Sequence, residues 1–187
     1  QSQADFKDGP RVALVQGNFP SSVEHDPDSY QHIYRIHEVL TGMSVPHQPD
    51  LIVWPETMFR WPLKIRRAGV TDADVLAMAP PHPNLNKATW LDSWNDTIVE
   101  DALLDLSSKS GAALIIGLEA MEARKDGLKM FNSAAFVTPQ QGVVDRYDKI
   151  HRVLFGEYVP LKESLPWLQK LTPFPDDFGI DAGESVK

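Results

Sequence analysis

The chain contains no cysteine. That excludes a disulfide framework, a thiolate metal site and a thiol nucleophile drawn from these 187 residues. It leaves the redox compartment open. Positive charge is also scarce, with 18 Lys and Arg against 26 Asp and Glu and a net charge of −8. Nucleic-acid phosphates are held by clustered Lys and Arg, so this balance argues against nucleic acid as a partner. No basic run is present to grip an anionic membrane surface. No apolar run approaches the roughly 18 residues that suggest a membrane span. The opening QSQADFKDGP is polar, lacks a signal-peptide core, and reads as a linker or a cut edge over residues 1–10. Repeats and low-complexity tracts are absent.

What is present suits one globular domain over residues 11–187. At 187 residues and 42% hydrophobic, the chain can bury a real core. RVALVQ (11–16) alternates as a strand does and runs into the turn cluster GNFPSS. Asp26 before Pro27 predicts a helix start. Ile33, Ile36, Leu40 and Met43 recur at helical spacing, and Gly42 marks the stop, giving a helix over 27–41. PDLIVWPE (49–56) is a buried strand ended by Pro55. Over 58–95 the pattern breaks into prolines and tryptophans, which predicts a long loop or arm with one short helix. Residues 95–111 form an amphipathic helix capped by Asn95 or Asp96 and closed by Gly111. A strand follows at 112–121, then two strands around the turn PQQG within 131–149. The order is α/β, with a mixed sheet covered by helices.

Three charged residues stand where chemistry is done. Glu56 follows a buried strand at its C-terminal end, the end that faces the ligand crevice in open α/β sheets. The plain alternative is a solvated acid. Lys149 follows the strand VVDRY and is suited to stabilising an oxyanion if held near a carboxylate. The plain alternative is a surface lysine paired with Asp148 or Asp145. Glu157, in FGEYVP, is either a loop acid or a second acid that orients Lys149 or Glu56. His151 and Arg152 carry less weight, since either suits a simple ion pair. The six histidines form no metal-binding pair, and EHDPDS lacks the glycine and terminal Glu of a calcium loop. No nucleophile elbow or phosphate-binding glycine loop occurs.

VALVQGNFP, DLIVWPET, MFNSAAFVTPQQGVVDRYDKIH and FGEYVPL stand in an order and spacing that resemble the extracytoplasmic, nitrilase-like domain of the apolipoprotein N-acyltransferases. The likeness covers most of 11–162 and is weak across the arm. It implies an αββα sandwich with mixed sheets, incomplete in this chain, and a Glu-Lys-Cys triad. Glu56 matches the general base, Lys149 the residue that stabilises the tetrahedral intermediate, and Glu157 the accessory acid. Asn132, Trp54 and Tyr158 match positions at the substrate pocket. The implied reaction needs no cofactor or metal. An acyl chain passes from a phospholipid donor to a cysteine thioester, then to the N-terminal amino group of a diacylglyceryl-cysteine lipoprotein acceptor. Glu56, partly desolvated, is expected to have a raised pKa and to act as the base. The arm would suit a lid near the membrane surface. The implied location is the bacterial inner membrane, with this domain on the periplasmic or extracytoplasmic side and the membrane reached through segments outside the chain.

The departure from that pattern is the missing cysteine. DAGESVK (181–187) matches the approach to the nucleophile strand, and truncation before that strand is the simplest account. The chain alone is then expected to be inactive, with sheet edges and apolar surface exposed. A soluble amidase of the nitrilase superfamily and a non-catalytic nitrilase-like domain are the alternatives. The FGEYVP motif favours the acyltransferase over the amidase. The reading makes one geometric demand: Glu56, Lys149 and Glu157 must converge.

Overall fold

The computed structural model describes residues 9–20, 26–81, 85–153, 157 and 179–185. Among these residues six strands form one mixed sheet: β1 (Val12–Leu14), β2 (Leu51–Val53), β3 (Phe59–Arg66), β4 (Ala113–Arg124), β5 (Gly127–Thr138) and β6 (Gly142–Asp148). The order is β1-β2-β4-β5-β6. β1, β2 and β4 run parallel, joined by helical crossovers, and β4-β5-β6 is an antiparallel meander. β3 also pairs with β4 in parallel, on the same edge as β2 but farther along. The chain between β2 and β3 therefore bulges away from the ladder, and Glu56 lies in that bulge.

The first helix, α1 (Tyr30–Ser44), is entered through a 3-10 turn at Pro27–Ser29. Asp26 caps that turn, accepting from the Asp28 amide at 3.1 Å, and Pro27 presets the first helical φ. Gly42 does not end the helix. It runs on to Ser44 and closes through a second 3-10 turn (Val45–His47) that ends on Gln48 at φ +50°. The buried stripe is also rotated from the expected one, onto Ile33, His37 and Thr41, while Met43 is 66% exposed. Two polar residues occupy the core because each has a partner. His37 Nδ1 lies 2.9 Å from the Ile33 carbonyl, and Thr41 Oγ1 accepts from the indole of Trp54 at 2.9 Å.

Residues 58–95 are not a plain loop. They contain β3 and two short helices, α2 (Asp72–Ala77) and α3 (Lys87–Asp92). The proline inside β3 obscured the strand, yet the register to β4 shifts between Phe59 and Leu63, so Pro62 falls in an irregular stretch. Thr71 and Asp74 form a reciprocal capping box on α2. Asn86 caps α3 through its side chain. The helix α4 (Ile98–Ser110) ends on Gly111 at φ +68°, a conformation that favours glycine. Asp96 accepts from the Ile98 amide at 3.3 Å near its start.

The two faces of the sheet differ. On the back face, Leu114, Ile116, Leu118 and Ala120 of β4 pack with Ile33 of α1 and Leu103 and Leu106 of α4 in one core. On the front face, Met121, Ala123 and Leu128 pack with Val70, Val75, Trp90 and Trp94 of the α2–α3 unit, which covers only the far end of the β4–β5 hairpin. The rest of the front is open and apolar: Leu14 is 79% exposed, and Val12, Phe136 and Tyr147 are exposed too. No helix among the described residues is long and apolar enough to cross a membrane.

Candidate active site

The bulge after β2 sets Glu56 over the front face of β4. Pro55 and Glu56 approach Gly117 so closely that a Cβ there would lie 2.2 Å from the Pro55 carbonyl oxygen and 2.7 Å from Glu56 Cα. Only glycine allows this approach. The next residue, Thr57, turns the chain back at φ +55°. A β-branched residue in the left-handed region is strained, and such strain clusters where a side chain must be aimed.

Lys149 directly follows β6 and lies opposite Asn132 of β5, whose carbonyl accepts from the Lys149 amide at 2.8 Å. Lys149 Nζ lies 2.9 Å from Glu56 Oε1 and 2.8 Å from Glu157 Oε1. The side-chain amide of Asn132 donates to Glu56 Oε1 and, at 3.5 Å, to Glu157 Oε1. Glu157 is itself fixed, since its Oε2 accepts from the Val153 amide at 2.9 Å. So Glu56, Lys149 and Glu157, separated by up to 101 residues in sequence, meet at one ammonium group, with Asn132 bracing both acids. The Lys149 ammonium thus turns to Glu56 and Glu157. Asp148 turns to Ser133 and Arg146 on the back face.

Each charge responds to these neighbours. The hydrogen bond to Glu157, and then that to Glu56, raise the Lys149 pKa above its ordinary value against the opposing effect of burial. Burial alone would push Glu157 up, but the bonds from Lys149 and the Val153 amide outweigh it and hold the carboxyl below its usual range. Glu56 departs from expectation in one respect. Its side chain is 61% exposed, not desolvated, while Lys149 and Glu157 are 29% and 13% exposed.

A cavity of about 320 Å³ opens beside these groups, lined by Trp54, Ile115, Ala134 and Tyr147 together with Glu56, Asn132 and Lys149. Trp54 reaches it as a core residue, 2% exposed and tilted against His37, with ring centroids 4.9 Å apart. Tyr158 lies outside the described residues. Sequence reasoning missed Gly117, Thr57 and Tyr147. The signal for Gly117 was an isolated glycine within a strand pattern, which marks close backbone approach; nothing local announced the other two. Chemically, the arrangement offers a carboxylate open to solvent on one oxygen, a fixed ammonium, and an apolar hollow alongside.

Residues 11–173 match the family model of the carbon-nitrogen hydrolases. The chain is similar to an apolipoprotein N-acyltransferase of Geobacter metallireducens, 29% identical over 173 residues, which cover 92% of this chain and 27% of that protein. A second apolipoprotein N-acyltransferase, from Rhodopirellula baltica, is 25% identical, with 94% of this chain and 33% of that protein covered. The chain thus spans about a quarter to a third of these relatives' length. Among solved structures it is similar to the NitN amidase of Nesterenkonia sp. AN1, at 16% identity and a TM-score of 0.48, covering 95% of this chain and 51% of that one.

Proposed function

This chain belongs to the carbon-nitrogen hydrolase family, and from that premise we propose that it is the part of a bacterial apolipoprotein N-acyltransferase that carries the general base and the oxyanion-stabilising lysine. The observation that carries the reading is the meeting of two acids on one ammonium beside an apolar cavity. The nucleophile would be a cysteine from outside these 187 residues, brought onto the open front face by the second sheet of an αββα sandwich.

The roles follow from the bonds. Glu56 Oε1 is engaged by Lys149 and Asn132, which leaves Oε2 without a partner among the described residues. That oxygen takes the thiol proton as sulfur attacks the ester carbonyl of a phospholipid. An ammonium has three N–H donors. Glu56 and Glu157 use two on Lys149, and the third stabilises the tetrahedral oxyanion. The protonated Glu56 returns its proton to the departing lysophospholipid oxygen, leaving a thioester. The N-terminal amine of a diacylglyceryl-cysteine acceptor then attacks the thioester, gives its proton to Glu56, and leaves as the amide while the thiol is restored. Glu157 keeps Lys149 charged throughout, so that Glu56 does not simply take its proton. Trp54 and Tyr147 would wall the acyl chain.

The test is an assay of the full-length gene product in membranes, supplied with phospholipid labelled in its acyl chain and a diacylglyceryl-cysteine peptide. Expected are a hydroxylamine-sensitive acyl-enzyme and a triacylated peptide, with ping-pong kinetics, and neither product from the 187-residue chain alone. Hydrolysis of small amides without transfer to the peptide would replace this reading with an amidase.

A further inference from the structure

Behind the site, on the helix-covered face, lies a second cluster of charges that the acyl-transfer steps do not use. Glu122 is fully buried in β4. Its carboxylate accepts from Arg67, from Arg124 Nε at 2.7 Å and from Arg146 Nη2 at 2.9 Å. Arg146 reaches onward to Asp148, with Nε 2.7 Å from Oδ1 and Nη2 2.9 Å from Oδ2. The hydroxyl of Ser133 donates to the same carboxylate at 2.6 Å.

A buried carboxylate needs partners for its own sake, and one bidentate arginine would suffice. What the extra links add is position. Ser133 and Asp148 are cross-strand partners in the β5–β6 ladder. Side chains alternate along a strand, so the next residues, Asn132 and Lys149, present on the front face. Those two meet Glu56 and Glu157 there. The same strand end holds a further segment. The Gly183 amide donates to the Lys149 carbonyl at 3.0 Å, and a Cβ on Gly183 would lie 2.1 Å from the Asp148 carbonyl oxygen. Glu184 is tied to Arg124 at 2.9 Å.

We propose that Asp148, clamped by Ser133 and by Arg146 anchored on Glu122, is a positioning residue that fixes the β5–β6 strand end so that Lys149 and Asn132 reach both acids across the sheet. Its importance for catalysis rests on the role assigned to Lys149 above; its test does not. Ser133→Ala and Arg146→Lys each loosen the clamp without changing net charge, so any effect on Lys149 is geometric and not a lost charge. With lysine carrying a ¹³C label at Cε, the Lys149 signal, assigned with Lys149→Arg, reports its protonation. The expected result is a lower titration midpoint for Lys149 in both variants, and acetylation of Lys149 by acetic anhydride at fixed pH about twofold faster or more, with circular dichroism retained. Should Arg146→Lys fail to fold, Ser133→Ala decides alone. A Lys149 midpoint that stays put while only Tm falls would make the cluster a structural ion network and overturn the inference. Absence of acyl transfer in the full-length protein would sink the proposed function and leave this result standing.

Discussion

At the scale of the residue, the site depends on one missing methyl group as much as on its charges. Gly117 lets the Pro55–Glu56 backbone rest on β4. We expect Gly117→Ala to destabilise the chain by about 1–3 kcal/mol, the range for overpacking, and to move Glu56 off Lys149. Urea unfolding checks the first effect and the Lys149 titration the second. An unchanged midpoint in both would mean that Glu56 does not need that close approach. Thr57→Gly should act in the opposite sense, raising stability, since glycine accepts φ +55° without a Cβ clash. Glu56, Lys149 and Glu157 were singled out through the family resemblance that WPE, YDKIH and FGEYVP carry; residue type and position alone left a solvated acid and a surface lysine as open alternatives. Glu122 was not legible. A glutamate within AALIIGLEAMEAR reads as one solvated position in an alternating strand, and only the arrangement of Arg67, Arg124 and Arg146 around it explains its burial.

At the scale of the element, strands and helices whose own periodicity carries them were readable, and those stabilised from a distance were not. The central strands and α4 announced themselves through apolar patterning. β3 did not, because a proline and three basic residues interrupt it, and its stability comes from the ladder to β4 rather than from its own composition. In α1 the apolar spacing placed Met43 inward, but the helix turns His37 and Thr41 to the core, since Trp54 supplies Thr41 with a donor. A direct comparison follows. Leu103→Ala, at a fully buried position in α4, should cost about 2–5 kcal/mol. Met43→Ala, on the exposed side of α1, should stay within about 0.5 kcal/mol. Denaturant midpoints compare the two. A large loss at Met43 would contradict the rotation of the helix described above.

At the scale of the whole molecule, charge and surface define the conditions under which the domain holds. Burial alone would raise the Glu122 pKa, but the hydrogen bonds from Arg67, Arg146 and Arg124 bring it down from 4.5 to about 2. A depressed carboxyl pKa adds stability that is present above 4.5 and is lost as pH falls through about 2. Glu157 shifts in the same direction. Tm should therefore fall between those pH values, and Glu122→Gln should lower Tm at neutral pH and flatten that acid dependence. A profile as steep in Glu122→Gln as in the wild type would assign the acid loss elsewhere. Lys149 works in the opposite direction: its raised pKa adds stability below 10.5 that disappears at higher pH.

In the proposed acyltransferase, the open front face, with Leu14, Phe136 and Tyr147 exposed and Tyr147 at the cavity, would pack against a second sheet. The roles proposed for the charge cluster at its rim are measured most directly by acyl transfer from labelled phospholipid to a diacylglyceryl-cysteine peptide by the full-length protein carrying Glu56→Gln or Lys149→Ala. Loss of a general base or of an oxyanion donor each costs on the order of a hundredfold or more. Both variants should lose at least that much in kcat while retaining the wild-type fold by circular dichroism. Near-normal transfer by either folded variant would contradict the roles assigned to Glu56 and Lys149.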